Sequence, residues 1–323
     1  MKQKLFNPIL LLFMLLAQLN QASPAVYQKD YQVVYSKPDG QEVYLNAFYP
    51  VINGNNINTK PVPAIIDIHG GWFIGGEPAR DIPPFLAEKG IAVFSISYRL
   101  GANGGFPQNI RDCRNAVRFI KKHAAKYGID TTRIGVMGGS AGGYLSLMVA
   151  QVPENFDDGG PTPELVGYTA NVHSCFSYIA PTDMLRFWYQ GPDDIQKDEN
   201  GTLFYRPVND AYPNDSRPRF RLLFHGLTPE TAAGTALYKK LSPLHYIRKN
   251  ICPILLCDGD IDPIVPGLHG KILYEKLKAN GNDVSYWLTE LGGHQFPAGQ
   301  EFEEYLMHFL NRTLLQKKTP RNK

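Results

Sequence analysis

The chain has 323 residues, 43% hydrophobic and 12% aromatic, with a formal net charge of +3. That is enough apolar material for one large α/β domain, and a 20% charged fraction argues against a disordered chain. A near-neutral balance without a basic stripe gives no reason to expect nucleic acid as a partner.

The N-terminus reads MKQKLFNPILLLFMLLAQLNQASPA. Lys2 and Lys4 precede an apolar run over 9–17, and small and polar residues follow, which is the order of a secretory signal peptide. We expect a leader over 1–22, cleaved after Ala22, and a single catalytic domain over 23–323, secreted or periplasmic. The apolar run is too short to span a bilayer comfortably, and no cysteine precedes Cys113, so no stable membrane anchor or lipid attachment is expected. The four cysteines (Cys113, Cys175, Cys252 and Cys257) lack C-x-x-C spacing. Cys252 and Cys257 lie at an odd separation around a predicted strand, so they face opposite sides and should not bridge.

Further along, YQVVYSKPDGQEVYLNAFYP carries two β-rich runs around Asp39-Gly40, a hairpin signal. Continuous apolar runs at 64–69 (AIIDIH) and 91–100 (IAVFSISYRL) read as buried parallel strands. NIRDCRNAVRFIKKHAAKYG places Ile110, Cys113, Val117, Ile120 and Ala124 at helical spacing, with Gly128 as its stop. DTTRIGVMG is a strand running into Ser140, followed by a helix, AGGYLSLMVAQV, and a strand, ANVHSCFSYIAP. After 183–241, which is rich in Pro, Asp, Asn and aromatics and too long for a bare loop, come a strand (ICPILLCDGD), a helix, a strand (DVSYWLTEL) and a last helix. The alternation implies a mostly parallel sheet with helices on both faces, and 183–241 reads as an insertion over the C-terminal edge of that sheet.

Gly138-Gly139-Ser140-Ala141-Gly142 falls where the predicted strand turns into the predicted helix. A G-x-S-x-G in that place is a nucleophile elbow: the serine is held in a strained conformation with its hydroxyl exposed, and its neighbours two residues away have no room for side chains. A serine nucleophile needs a base. Of the eight histidines, His294 lies in the loop ELGGHQF, at the same sheet edge as Ser140. His123, His269 and His308 fall in helical stretches and read as surface or packing residues. The imidazole needs a carboxylate to orient it, and LLCDGDIDPIVP offers Asp258, Asp260 and Asp262 past a strand end. Asp262 is preferred because the turn before Pro263 presents it to the His294 loop, and Asp260 is second. The D-x-D-x-D spacing does not make a calcium loop, since Pro263 and His269 stand where Gly and Glu are required. Neither metal nor cofactor is expected.

DIHGGWFIGG follows the strand at 64–69. The N–H groups of Gly71 and Trp72, with that of Ala141, are candidate donors to an oxyanion. His69 reads as a loop organiser. Phe73, Trp188 and Tyr189 are candidate substrate-pocket residues.

Taken together, HGGWFIGG, SYRL…FPQNIRDCRNAVRFI, DTTRIGVMGGSAGGYLSLM, CDGDIDPIVP and GGHQF resemble the α/β-hydrolase superfamily. Within it the chain is most similar to serine esterases of the feruloyl-esterase-like (BD-FAE) and hormone-sensitive-lipase-like group. The resemblance implies an α/β-hydrolase fold, Ser140, Asp262 and His294 as triad, and Gly71, Trp72 and Ala141 as oxyanion donors. Two departures stand out: Trp72 replaces a third small residue of the oxyanion motif, and Asp258 stands where relatives often have His. The expected function is an exported serine carboxylesterase acting on small esters or acylated plant polysaccharide (acetyl or feruloyl groups), the aromatics of the insertion (Phe187, Trp188, Tyr189, Phe204, Tyr205, Tyr212) stacking on sugar. Alternatives are a prolyl-oligopeptidase-like peptidase, a lipase, or a non-catalytic binding protein on the same scaffold. The sequence carries no signal for an oligomeric state.

Overall fold

The computed structural model describes residues 26–51, 60–81, 86, 89–197, 203–207, 217–296 and 299–316, so the expected leader lies outside the described residues. Val26–Ser36 (β1) and Val43–Val51 (β2) pair antiparallel. Between them Asp39 and Gly40 adopt φ of 53° and 81°, the left-handed turn that Asp-Gly favours. Next come β3 (Val62–Ile68), β4 (Ala92–Ile96), β5 (Ile129–Gly139) and β6 (Ser174–Tyr178), then β9 (Ile254–Gly259) and β10 (Val284–Thr289). They form one eight-stranded sheet in the order β1-β2-β4-β3-β5-β6-β9-β10. From β4 to β10 all neighbours are parallel, and β2 joins β4 antiparallel.

This order positions the site. The chain moves outward from β3 to β4, then crosses back to lay β5 on the other side of β3. The loops leaving β3 and β5 therefore diverge at a topological switch point, where parallel sheets open a crevice. In register, Ile68 lies beside Gly138, so the glycine-rich loop and the serine turn leave the sheet at the same level.

Side-chain alternation puts Ala64, Ile66, Phe94, Ile134 and Val136 on one face, buried under α1 (Gln108–Lys122) and α2 (Ala141–Gln151). Ile65, Val93, Met137, Phe176 and Leu255 face the other way, against Phe302, Leu306 and Leu310 of α7 (Gln300–Leu310). The strand expected over 91–100 ends at Ile96, since Arg99 turns inward and makes a buried ion pair with Asp112 of α1 at 2.8 Å. That pair explains the linked SYRL and NIRDC motifs. Arg99 also reaches Asp39 in the hairpin turn at 2.7 Å. The helix after it ends earlier than expected, at Lys122, and a separate turn, Ala124–Tyr127, is closed by Gly128 at φ 64°.

The 183–241 insertion has its own elements: α3 (Met184–Tyr189), a hairpin of β7 (Gln190–Lys197) and β8 (Leu203–Pro207), α4 (Arg217–Leu223) and α5 (Ala232–Lys240). Asp183 starts α3, its Oδ1 accepting the N–H groups of Leu185 and Arg186, both at 3.1 Å. The four cysteines are free thiols. Among the described residues no helix is long and apolar enough to cross a membrane.

Candidate active site at the switch point

Ser140 sits at φ 54°, ψ −120°, between the last residue of β5 and the first of α2. Its N–H donates to the carbonyl of Tyr178 on β6 at 2.9 Å, and its own carbonyl accepts from Tyr144 at 2.9 Å. The flanking glycines answer a packing demand. A Cβ on Gly142 would lie 1.9 Å from the Ile68 carbonyl oxygen, and one on Gly138 would lie 2.6 Å from the same atom. The turn is thus forced against the end of β3, which aims the Ser140 hydroxyl into the crevice.

His294 Nε2 lies 3.0 Å from Ser140 Oγ, and its Nδ1 lies 2.7 Å from Asp262 Oδ2. An ionised carboxylate only accepts, so Nδ1 carries the proton and Nε2 is left to accept from the serine hydroxyl. The Asp262 side chain is fully buried, and its Oδ1 accepts from the N–H groups of Ile264 (2.8 Å) and Val265 (3.0 Å). Such a chain lets the imidazole take the serine proton while the carboxylate holds the ring.

Asp260, the second candidate, does a different job. Its Oδ1 accepts from Gly292 N–H at 3.1 Å, and the neighbouring Ile261 N–H donates to the Gly292 carbonyl. It ties the β9 loop to the β10 loop two residues before His294. Asp258 is buried beneath both, and burial, with the like charge of Asp262 adding to it, pushes its carboxyl well above the usual range. The three aspartates point to three different places, and among the described residues no His/Cys/Asp/Glu group is arranged to hold a metal.

The loop after β3 turns sharply at Gly71 (φ 106°), Trp72 (φ 57°) and Phe73 (φ 62°). Positive φ at two bulky residues in succession is costly and must be held by packing. Phe73 is held by the core: its ring lies edge-on to Phe106 at 5.1 Å and to Tyr144 at 5.3 Å. Trp72 is held by the insertion, stacked on Phe187 of α3 at 5.8 Å and 11° with the Arg219 guanidinium of α4 4.9 Å from its ring centre. The preceding Gly70 abuts the serine turn; a Cβ there would sit 3.6 Å from Ser140 Cβ. Ala141 opens α2, so its N–H has no intrahelical partner. His69 organises this loop. Its Nδ1 lies 2.7 Å from the Gly70 carbonyl and its ring stacks on Tyr98 at 4.4 Å. Burial lowers its pKa, which favours the neutral ring.

The pocket expectations need correction. Phe73 is 1% exposed and Trp188 2% exposed, so both are core residues rather than an open lining. Trp188 packs on Phe220 and Tyr238 and donates from Nε1 to Glu230 at 3.1 Å. Phe187 is also buried, so neither ring presents a face to sugar. Tyr189 is 44% exposed and stays available. Phe204, Tyr205 and Tyr212 lie outside the residues whose side chains are described. The Arg219 contact to Trp72 was missed because nothing in the linear pattern links a loop after β3 to a helix in the insertion.

The chain is similar to two esterases of Mycobacterium tuberculosis. It is 25% identical to LipQ over 241 residues (73% of this chain, 51% of LipQ) and 25% identical to LipC over 244 residues (74% and 54%). The chain thus spans about half the length of these curated relatives. Among solved structures, the butyrate-bound Est2 esterase of Thermogutta terrifontis superimposes with a TM-score of 0.65 at 23% identity, covering 91% of this chain and 96% of that one. The bifunctional GH43-CE of Bacteroides eggerthii gives a TM-score of 0.67 at 22% identity, covering 91% of this chain and 39% of that one. These neighbours share the α/β-hydrolase fold read from the sequence. The BD-FAE family model matches residues 52–277, more than half of the chain, from the end of β2 into α6 (Leu268–Ala279), and the protein belongs to the BD-FAE family.

Proposed function

We propose that the protein is a serine carboxylesterase that cleaves short acyl or aryl esters by a Ser-His-Asp acyl-enzyme mechanism. The observation that carries this is the hydrogen-bonded chain from Ser140 Oγ through His294 to Asp262. In the first half-reaction Ser140 Oγ attacks the ester carbonyl carbon as His294 Nε2 takes its proton. The carbonyl oxygen becomes an oxyanion facing the N–H groups of Gly71, Trp72 and Ala141. His294 returns the proton to the leaving alkoxy oxygen, and the alcohol departs. A water molecule, deprotonated by His294, attacks the acyl-serine and releases the acid. Asp262 keeps the ring in one tautomer and faces the positive charge that forms on it.

The leader-like N-terminus supports export, and export supports acylated plant polysaccharide as the substrate class. Turnover of p-nitrophenyl esters from acetate to octanoate, methyl ferulate and acetylated xylan by the mature protein and its Ser140→Ala variant tests the reading. Serine-dependent release biased to acetate or ferulate is expected. Equal rates from both proteins would overturn the mechanism. Fractionation of an expressing bacterium, with the mature N-terminus sequenced, tests export and cleavage after Ala22.

A further inference from the structure

A second cleft, of about 300 Å³, opens between the N-terminal hairpin and the far half of the loop that follows β3. Tyr31 and Gln32 of β1, Tyr44 of β2, and Glu77 and Arg80 of the loop line it. We infer that this cleft is a subsite for a neutral pyranose unit of the polymer whose ester group sits at Ser140. The inference rests on the esterase reading for the identity of the polymer, and on the cleft itself for the binding.

Position is the first argument. The Tyr44 carbonyl accepts from Ser97 N–H just beyond β4, so the cleft lies at the same C-terminal edge of the parallel strands as Ser140. From β5 the strand order runs through β3 and β4 to β2 and β1. At ~4.8 Å per strand the cleft stands roughly 14–19 Å from the nucleophile turn, the reach of a short oligosaccharide. One loop serves both places: Gly71 and Trp72 bend beside Ser140, and Glu77 and Arg80 wall the cleft. The Glu77 charge acts on His69 too, partly offsetting the lowering that burial causes.

Rigidity is the second. Ala79, between the two wall residues, is pinned at both backbone groups. Its N–H donates to Ser95 Oγ at 2.8 Å, and its carbonyl accepts from Asn46 Nδ2 at 3.0 Å. Ser95 Oγ in turn donates to the buried Asp67 at 2.8 Å. Asn46 Oδ1 accepts from Gln32 N–H at 3.0 Å, which fixes the bulge where Gln32 takes φ 54°. This row of hydrogen bonds runs from Gln32 N–H to the buried Asp67 and anchors the loop on the sheet.

Chemistry is the third. Tyr31 is 51% exposed, yet its ring is held, edge-on to Phe48 at 6.1 Å and with its hydroxyl donating to the Arg80 carbonyl at 3.3 Å. A fixed, exposed aromatic face beside a second tyrosine suits the C–H face of a sugar ring. The amide of Gln32, the carboxylate of Glu77 and the guanidinium of Arg80 suit hydroxyl groups as acceptors and donors. Glu77 and Arg80 offset one another in charge, so the cleft favours a neutral ligand over a uronate.

The test is calorimetric titration of xylohexaose, which carries no ester, into the full-length mature Ser140→Ala protein, with an oligogalacturonide of equal length in parallel. We expect xylohexaose to bind, Tyr31→Ala in that background to weaken it at least tenfold, and Tyr31→Phe, which keeps the ring, to restore most of the affinity. Thermal melts confirm that each variant is folded. Absence of xylohexaose binding, binding unchanged by Tyr31→Ala, or tighter binding of the oligogalacturonide would each overturn the proposal. Calorimetry needs no turnover, so failure of the esterase reading, seen with p-nitrophenyl acetate, is distinguishable from failure of the subsite.

Discussion

Phe187 lies flat on Trp72, the two rings 5.8 Å apart and 11° from parallel. One belongs to the insertion and the other to the loop beside Ser140. The stack holds Trp72 at φ 57°, a conformation the residue does not choose by itself, and so couples the insertion to the backbone N–H groups beside Ser140.

Truncating Phe187 should therefore cost more than packing. Phe187→Ala removes a ring that is 4% exposed, a loss that typically costs about 3–5 kcal/mol of stability. It also frees Trp72 to relax toward negative φ, which swings its N–H away from the oxyanion. We expect kcat on p-nitrophenyl acetate to fall by up to the ~10²–10³ associated with losing one donor, with KM changed much less. Arg219→Gln removes only the cation above the indole, and its effect on turnover should stay within about tenfold. A Phe187→Ala protein that melts lower but turns over at the parent rate would disconnect the stack from catalysis.

The two carboxylates near His294 make separable predictions. Asp262→Asn keeps the acceptor for Ile264 and Val265 but replaces the atom that accepts from His294 Nδ1 with an amide donor. The ring then turns to the wrong tautomer, and kcat/KM should fall about 10⁴-fold, as it does when the corresponding group is changed in other triads. Asp260→Asn keeps an oxygen able to accept from Gly292 N–H, so it should cost less than about tenfold, while Asp260→Ala, which removes that link and leaves the N–H only the Thr289 carbonyl, should cost more. Parallel kinetics on all three variants decide the assignment; equal losses in Asp260→Asn and Asp262→Asn would sink it.

Glycines in and around the site are not equivalent. Gly142→Ala drives a methyl to 1.9 Å from the Ile68 carbonyl oxygen, a backbone atom, with no flexible side chain to give way. Overpacking of this kind typically costs about 1–3 kcal/mol or more, and here it also displaces the serine turn. Gly75 lies in the neighbouring loop, has nothing within 4 Å of the Cβ position and does not adopt positive φ. Gly75→Ala should melt within a degree or two of the parent and keep its activity. Melting curves and p-nitrophenyl acetate rates for the pair test this.

What could be read in advance divides along physical lines. The strand–serine–helix turn, the hairpin at Asp39-Gly40 and the His294 loop were legible because each rests on local constraints: glycine spacing, turn chemistry and hydrophobic period. Asp262 was distinguishable from Asp260 because Pro263 fixes the turn that follows it. The role of Asp260 was not, since it depends on a hydrogen bond across to Gly292. Likewise the aromatics of the insertion suggested a sugar platform by composition, yet Phe187 and Trp188 are drawn inward by Phe220, Tyr238 and Trp72, partners that only the tertiary fold supplies. The end of the strand at Ile96 was masked by the apolar run that continues to Leu100, and the buried Arg99–Asp112 pair is what ends it.

Two buried groups behind the site give opposite pH dependences. His269, on α6, is 1% exposed; its Nδ1 accepts from Thr182 N–H at 3.2 Å, and its ring meets Phe187 edge-on at 5.4 Å. Burial, then the nearby Arg186, lowers its pKa from the ordinary 6.5 to about 3. Below pH 6.5 the unfolded chain binds a proton at this residue that the folded chain refuses. Stability should therefore fall as pH drops from 6.5 toward 3. Asp258 works the other way. A Cβ on Gly270 would lie 1.8 Å from its Oδ2, which shows how tightly α6 closes over the carboxyl. Burial raises its pKa, so above the ordinary 3.8 the unfolded chain releases a proton that the folded chain keeps, and stability should fall as pH rises. Asp258→Asn removes that penalty. Its melting temperature relative to the parent should be unchanged near pH 3.5 and should rise progressively toward pH 8. His269→Asn, an uncharged acceptor for Thr182, should melt lower at pH 7 through lost packing but flatten the decline between pH 6.5 and 3. Melting temperature against pH for the three proteins reads both signs at once. Curves parallel to the parent's would mean that neither residue is held away from its ordinary pKa.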